Sequence, residues 1–337
     1  MFLKNYWYIS AAADEVGRKL LQRWILGEPV LMYRTEDGVA NALHNACPHR
    51  SMPLSEGKLV GDEVQCAYHG LRVGADGKCI HIPGQGSIPP RAGVRTFPLV
   101  EKWRWLWIWM GDPDKADEAS IPDFHWNDDP KWTPTGGRFH INCDYQLLVD
   151  NLLDLSHEAF VHPTTIGNLA LVDTAPRTET RGEAVRVTRQ INGHPPPPLY
   201  AKLKDFKGNI DRTQNIEWTP PSNIVIESRS SPSGSNDPEM ILEYRVLNGI
   251  TPASRGVTHH FWAVPRNFAP EPEVTEAFHE GSVRAFSEDV EVLEKQQAMI
   301  EHLGGAPEWM NIKVDAGGIM ARRSVKQLLE EEMATDA

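Results

Sequence analysis

Cys47-Pro48-His49-Arg50 and Cys66-Ala67-Tyr68-His69-Gly70 each offer one thiol and one imidazole, and sixteen residues separate His49 from Cys66. Two such pairs on neighbouring loops suit two different metal centres. One is a single tetrahedral zinc ion held by a Cys₂His₂ set. The other is a [2Fe–2S] cluster in which two thiolates hold one iron and two imidazoles the other. Local spacing disfavours zinc, because Cys47 and His49 have one residue between them where zinc fingers use two to four. His69, moreover, stands in a Tyr-His-Gly turn rather than on a finger helix. Neutral imidazoles in place of two thiolates make a cluster less negative and raise its reduction potential.

Around these loops, residues 1 to 112 read as short strands and turns. Trp24 to Tyr33 is apolar about a Gly-Glu-Pro turn, and Val39 to His44 follows the turn signal Asp37-Gly38. Val73 and Ile80 flank Gly74-Ala75-Asp76-Gly77, a hairpin signal. From Trp103 to Trp109 tryptophan takes every second place, which predicts a strand with one face of indoles. That face reads as a domain core or an interface between domains. Gly111-Asp112-Pro113 ends it, and the charged connector Asp112 to Asp117 marks a boundary. The expected domains are 1–115 and 116–337.

A second polar constellation lies past that boundary. Leu148-Val149-Asp150-Asn151-Leu152-Leu153-Asp154-Leu155-Ser156-His157 runs on to His162-Pro163, and polar groups in so apolar a segment are costly unless paired or metal-bound. Read as one helix over Asp144 to Val161, it puts Asp154 and His157 on one face. His162, five residues past His157, lies about 140° round the helix at ~100° per residue. Pro163 pushes the residue before it out of the α region, so the helix is expected to end there and let the two imidazoles converge. Two histidines and one carboxylate form the face used for non-haem ferrous iron.

The carboxylate is expected from a late helix, Glu271 or Val274 to Leu303, stopped by Gly304-Gly305. On a wheel, Phe286, Asp289, Val292, Leu293 and Gln296 share one side. Glu288, Glu291, Glu294 and Lys295 share the other, where Glu291 and Lys295 make an exposed i,i+4 pair. Asp289 is therefore the inward carboxylate, and its burial demands a counter-charge. Between the two constellations, strands are predicted at Ala184 to Ile191, Asn215 to Trp218, Asn223 to Ser228, Met240 to Asn248 and Val257 to Val264. These should supply the walls of a substrate pocket. His194 to Pro198 reads as a stiff proline loop, Ser230 to Pro238 as an exposed loop, and Ser324 to Met333 as a final amphipathic helix.

Composition narrows the class. With 34 basic against 46 acidic residues the net charge is −12, which excludes an electrostatic nucleic-acid binder. No uncharged apolar run approaches the ~18 residues of a spanning helix, and Met1-Phe2-Leu3-Lys4-Asn5 opens no signal peptide. Two of the four cysteines, Cys79 and Cys143, read as small buried hydrophobes. Reducing cytoplasm is the expected compartment. Gly84-Gln85-Gly86 lacks the helix-opening context of a nucleotide fingerprint.

Taken together, the two constellations resemble the catalytic oxygenase subunit of Rieske non-haem iron oxygenases over nearly the whole chain. The Cys/His pairs match the Rieske motif in spacing and flanking residues, and His81-Ile82-Pro83-Gly84-Gln85-Gly86 is placed as its proline-rich cover loop. Asn-Leu-Leu-Asp-Leu-Ser-His-Glu and Glu-Asp-Val-Glu-Val-Leu-Glu look most like the vanillate and dicamba O-demethylase branch. The resemblance implies an α+β fold: an antiparallel β Rieske domain, then a catalytic domain with an antiparallel sheet and helices of the helix-grip type. It implies cluster ligands Cys47, His49, Cys66 and His69, and mononuclear Fe(II) ligands His157, His162 and Asp289. It further implies Asp154 as a bridging carboxylate that bonds His157 or His162 of its own subunit and His69 of a neighbour, with Asn151 near the iron. A head-to-tail homotrimer, O₂ as co-substrate, and electrons from NAD(P)H through a separate reductase or ferredoxin complete the implied system. The reaction implied is hydroxylation of a methoxy carbon on a small aromatic acid, the hemiacetal falling apart to formaldehyde and a phenol. Two other readings stand beside it: a phthalate-type ring-hydroxylating dioxygenase on the same scaffold, and a Rieske electron-transfer protein without oxygenase activity. An electron carrier has no use for an inward Asp289 or for paired histidines.

Overall fold

Turn residues interrupt the first third of the chain every few positions, and its strands are correspondingly short. A computed structural model describes residues 1–337 except 165, 168, 198–199, 202–205, 236 and 336–337. The chain divides into two compact units, Met1–Ile121 with Thr251–Arg255, and Pro122–Ile250 with Gly256–Ala337. The first contains β1 (Trp7–Ala12), β2 (Leu21–Ile25), β3 (Glu28–Arg34), β4 (Ala40–His44), β5 (Lys58–Val60), β6 (Glu63–Gln65), β7 (Arg72–Val73), β8 (Cys79–His81), β9 (Leu99–Lys102) and β10 (Trp105–Trp109). They form three antiparallel sheets, ordered β1-β10-β9, β2-β3-β4 and β5-β6-β7-β8.

Strand β3 shows why these sheets stack. Val30 and Met32 pack with Tyr8, Leu106, Ile108 and Met110, whereas Leu31 and Tyr33 pack with Leu43, Leu54, Val64 and Val73. Side chains alternate faces at period two, so a strand apolar throughout is buried on both sides. The β2–β3 hairpin turns at Leu26 and Gly27, both at positive φ, the backbone that matches strand twist in two-residue hairpins. Trp103 and Arg104 are also at positive φ and form the β9–β10 turn, so the indole ladder begins at Trp105 rather than Trp103. Residues 251–255 join this unit because Leu26 and Gly27 donate N–H bonds to Pro252 and Ala253, each 2.8 Å.

The second unit contains β11 (Gly136–Ile141), α1 (Tyr145–Leu153), α2 (Glu158–Val161), α3 (Ala170–Asp173), β12 (Arg177–Arg181), β13 (Ala184–His194), β14 (Ile210–Thr219), β15 (Asn223–Pro232), β16 (Leu242–Ser254), β17 (Val257–Ala263), α4 (Pro272–His302) and α5 (Ala316–Thr335). Its seven-stranded antiparallel sheet has the order β11-β17-β16-β15-β14-β13-β12. The helix α4 packs on the β11–β17 end through Phe286, whose ring meets Phe139 at 6.2 Å and Trp262 at 5.3 Å. Arg322 on α5 clamps α1, its guanidinium bonding the Asp150 carboxylate and, at 2.6 Å, Gln146 Oε1. This is the expected α+β arrangement of antiparallel sheet and gripping helices. β15 runs to Pro232, into the segment read as loop, because Ile210 and Asp211 on β14 still pair with Pro232 and Ser231. Of the proline loop, His194 closes β13, and Pro198 lies outside the described residues.

One element departs from expectation at a decisive place. The single helix Asp144 to Val161 breaks at Asp154, where φ is −121° and ψ 97°. Its carboxylate accepts from Ser156 N at 2.9 Å and from Ser156 Oγ at 2.5 Å. An Asp side chain that captures the backbone two residues on offers the chain an alternative to the next helical bond. The helix therefore restarts as a 3₁₀ turn, Leu155–His157, before α2.

Candidate active site

In the first unit the four expected cluster ligands sort by polarity. Cys47 and Cys66 are buried in the core cluster with Leu31, Leu43 and Val64, while His49 and His69 are exposed and turn their Nδ1 atoms to within 3.2 Å of each other. Burial pushes the Cys47 thiol up from its ordinary range, and the Cys66 side chain adds to it. Among the described residues, these four do not gather three or more donor atoms within 4.8 Å of one another. One tetrahedral ion would require such a gathering, whereas a cluster holds thiolates and imidazoles on separate irons. Gly70 sits at φ +73°, a backbone that strains a side chain, and a Cβ there would press on Pro83 Cγ at 3.2 Å. Pro83 of the expected cover loop thus lies against the turn that carries His69.

In the second unit, His157, His162 and Asp289 bring one donor atom each to within 4.8 Å of one another. The break at Asp154 presents His157 and the turn at Pro163 presents His162, whose φ of −117° and ψ of 42° lie outside the helix. Gly167 closes that turn: its N–H bonds His162 O at 2.9 Å, and a Cβ would sit 2.3 Å from Glu158 O. Asp289 Oδ1 stands 3.1 Å from His162 Nε2 and 3.3 Å from His157 Nε2, and accepts from Asn151 Nδ2 at 3.1 Å. Asn151 Oδ1 is buried without a hydrogen-bond partner.

The opposite ring nitrogens are held as well. His157 Nδ1 donates to the Asp154 main-chain carbonyl, and His162 Nδ1 lies 2.7 Å from Glu288 Oε2. A proton fixed on Nδ1 leaves the Nε2 lone pair for a metal. Burial alone would lower the His162 imidazole, but Asp289 and Glu288 outweigh it and raise it to about 8. Asp289, which burial would raise, is held well below the ordinary carboxylate range by the two imidazoles. Two Nε2 atoms and a carboxylate converging in a buried site fit a ferrous ion, as does the orphaned Asn151 oxygen beside them.

Two details differ from the sequence reading. Asp154 meets His157 through its main-chain carbonyl, because its carboxylate is engaged by Ser156 and lies 3.9 Å from Arg189. Glu288, assigned by the wheel to the outer side of its helix, reaches back to His162. No sequence signal marked it, since the contact depends on where α2 ends.

A cavity of about 310 Å³ opens onto the triad. Leu152, Leu155, Ile226, Val246 and Phe286 give it apolar walls, and Arg212, Gln214, Ser228 and Tyr244 add polar groups from the sheet. Sequence reading placed the walls in these strands without naming residues. On β14 the signal was present: Ile210, Ile216 and Trp218 alternate inward, and the same period puts Arg212 and Gln214 inside, where both are buried.

The Rieske [2Fe-2S] domain matches residues 6–98, and the vanillate O-demethylase oxygenase C-terminal domain matches residues 141–331. The chain is 36% identical to the toluene-4-sulfonate monooxygenase iron-sulfur subunit of Comamonas testosteroni, with 98% of each covered. It is 35% identical to the vanillate O-demethylase oxygenase subunit of a Pseudomonas strain, covering 100% of this chain and 98% of that one. The crystal structure of dicamba monooxygenase bound to 3,6-dichlorosalicylic acid superposes with a TM-score of 0.92 at 34% identity, over 99% of both chains. With both halves matched in order along one chain, and a His-His-Asp iron site in the second, the chain belongs to the Rieske non-haem iron oxygenases, as an oxygenase component of the vanillate and dicamba O-demethylase branch.

Proposed function

We propose that this oxygenase removes a methyl group from a methoxylated aromatic acid. The observation that carries the reading is the apolar cavity opening directly onto His157, His162 and Asp289. Held by His157, His162 and Asp289, ferrous iron would supply O₂ activation, and the overall balance would be methyl ether, O₂, two electrons and two protons to phenol, formaldehyde and water. The protein's own groups do the rest. Leu152, Ile226 and Phe286 exclude water from the ring, and the Nδ1 partners Glu288 and the Asp154 carbonyl hold both imidazoles in one orientation.

The first domain, 1–115, is assigned electron entry and 116–337 catalysis. Cys47, His49, Cys66 and His69 are the proposed cluster ligands, supported by the buried thiols and the converging Nδ1 atoms. Asp154 is the proposed bridge to His69 of a neighbouring subunit in a head-to-tail homotrimer, and Asn151 orients Asp289. A separate reductase or ferredoxin supplies the electrons. The cytoplasm is the proposed compartment, supported by four cysteines of which none pairs with another in a disulfide. No described helix is long and apolar enough to cross a membrane.

A second reading, hydroxylation of an aryl methyl group, is favoured by the likeness to the toluene-4-sulfonate enzyme. The deciding experiment gives reduced protein O₂ and a panel of methoxybenzoates, toluene-4-sulfonate and phthalates. Formaldehyde and phenol in equal amounts establish O-demethylation. Benzylic alcohol without formaldehyde moves the protein to the second reading, and cis-diols from the phthalates overturn both.

A further inference from the structure

Arg212 is 4% exposed and lines the cavity that the triad opens onto. An arginine cannot shed its charge in a protein, so a buried guanidinium must be satisfied by neighbours. Here it is satisfied only in part. Its Nη2 stands 3.5 Å from Glu158 Oε2, a distance at which that oxygen makes no hydrogen bond, and its Nε and Nη1 have no hydrogen-bond partner. Its flat face lies over the Tyr200 ring at 5.0 Å. The other donors on this wall are engaged: Tyr244 Oη pairs with Tyr200 Oη at 2.6 Å, Ser228 Oγ with the same hydroxyl at 2.9 Å, and Gln214 Nε2 donates to Glu158 Oε1 at 3.4 Å, which leaves Gln214 only an unpaired acceptor, Oε1. Arg284, which also lines the cavity, is exposed, where water screens it.

From this we infer that Arg212 is the anion-recognising residue of the cavity, its guanidinium, whose charge is only partly met by Glu158, drawing a carboxylate or sulfonate on the substrate ring. The inference rests on the reading of the cavity as the substrate site. It deepens that reading by naming the residue that selects acids over neutral arenes. The geometry is that of a fork: planar donors on a rigid strand, in a site from which water is largely excluded, where charge-assisted bonds are strongest. Glu158 competes for the same guanidinium, so its negative charge weakens the hold on an incoming anion.

The test is calorimetric titration of the anaerobic holoenzyme with 4-methoxybenzoate, 4-methoxybenzenesulfonate and methyl 4-methoxybenzoate. The wild type is expected to prefer an acid to the ester. Arg212→Met should lose roughly 10- to 100-fold in acid affinity, the usual worth of a hydrogen-bonded charge, while its ester affinity stays nearly constant. Arg212→Lys should retain part of the preference. Glu158→Gln should increase it, which keeps the inference testable if Arg212→Met fails to fold. Arg284→Met should leave the ratio close to wild type. The carboxylate and sulfonate arms show which oxyanion the fork holds better. An acid-to-ester ratio unchanged in Arg212→Met, or one that falls instead in Arg284→Met, overturns the inference. Tight Arg212-dependent acid binding without oxidised product would leave it standing and sink the O-demethylation reading.

Discussion

Asp289 and Glu288 are consecutive, yet they serve the same histidine from opposite sides: Asp289 meets His162 Nε2 at 3.1 Å and Glu288 meets Nδ1 at 2.7 Å. One carboxylate is a ligand, while the other fixes the proton that leaves the ligand nitrogen free. Asp289→Ala should therefore lose the mononuclear iron while the cluster absorption persists. Glu288→Gln, which keeps a hydrogen-bond acceptor but removes the charge, should weaken iron binding by about 10- to 100-fold, as outer partners of metal histidines generally do. Metal analysis after graded chelator treatment checks both. Full iron in Asp289→Ala would move the ligand role to another carboxylate of α4. Asp289 was legible from helical periodicity alone. Glu288 was not, because a wheel shows which side a residue faces but not what stands there.

At the scale of elements, the informative case is β17 against β16. His260 is buried, its Nε2–H donates to Asn248 Oδ1 at 2.9 Å, and its ring meets Phe286 of α4 edge-on at 4.8 Å. Burial lowers this imidazole to about 4, the nearby Asp289 only partly opposing. The unfolded chain, with its histidine near 6.5, binds a proton that the folded chain refuses between pH 6.5 and 4. Stability from this group is thus fully present above pH 6.5 and is lost as pH falls toward 4, by about 3 kcal/mol at the limit. His260→Gln should flatten the acid limb of the unfolding midpoint across that window, and an unchanged limb would refute the assignment. The late helix and the cores of most strands were legible, because period-two and period-3.6 patterns are local, although β14, β15 and β16 run four to six residues beyond their predicted ends and β11 and β12 were not read from the sequence. The break at Asp154 was missed, since an aspartate capturing Ser156 competes with a helix that propensity alone would continue.

At the scale of the whole molecule, the proposed head-to-tail trimer makes a prediction no single chain can meet. A Cys66→Ser chain should lack the cluster and an Asp289→Ala chain the iron, so each alone should be inactive. Co-expressed, they should recover turnover, because one subunit's intact cluster would feed its neighbour's intact iron. No recovery in mixed trimers would restrict electron transfer to within a subunit. By itself the sequence located most elements and both candidate ligand constellations, because ligand type, short-range spacing and hydrophobic period are properties of neighbouring residues, and its resemblance to a known family implied the fold class. It also placed Asp289 inside. Only the tertiary structure decided which nitrogen of each histidine is turned toward the metal site, that Asp154 contacts His157 through its carbonyl, and that Arg212 stands in the cavity with donors to spare. Those outcomes depend on where separate helices and strands meet, and the pairing energy of a buried polar group is set by its partners across the fold rather than by its place in the chain.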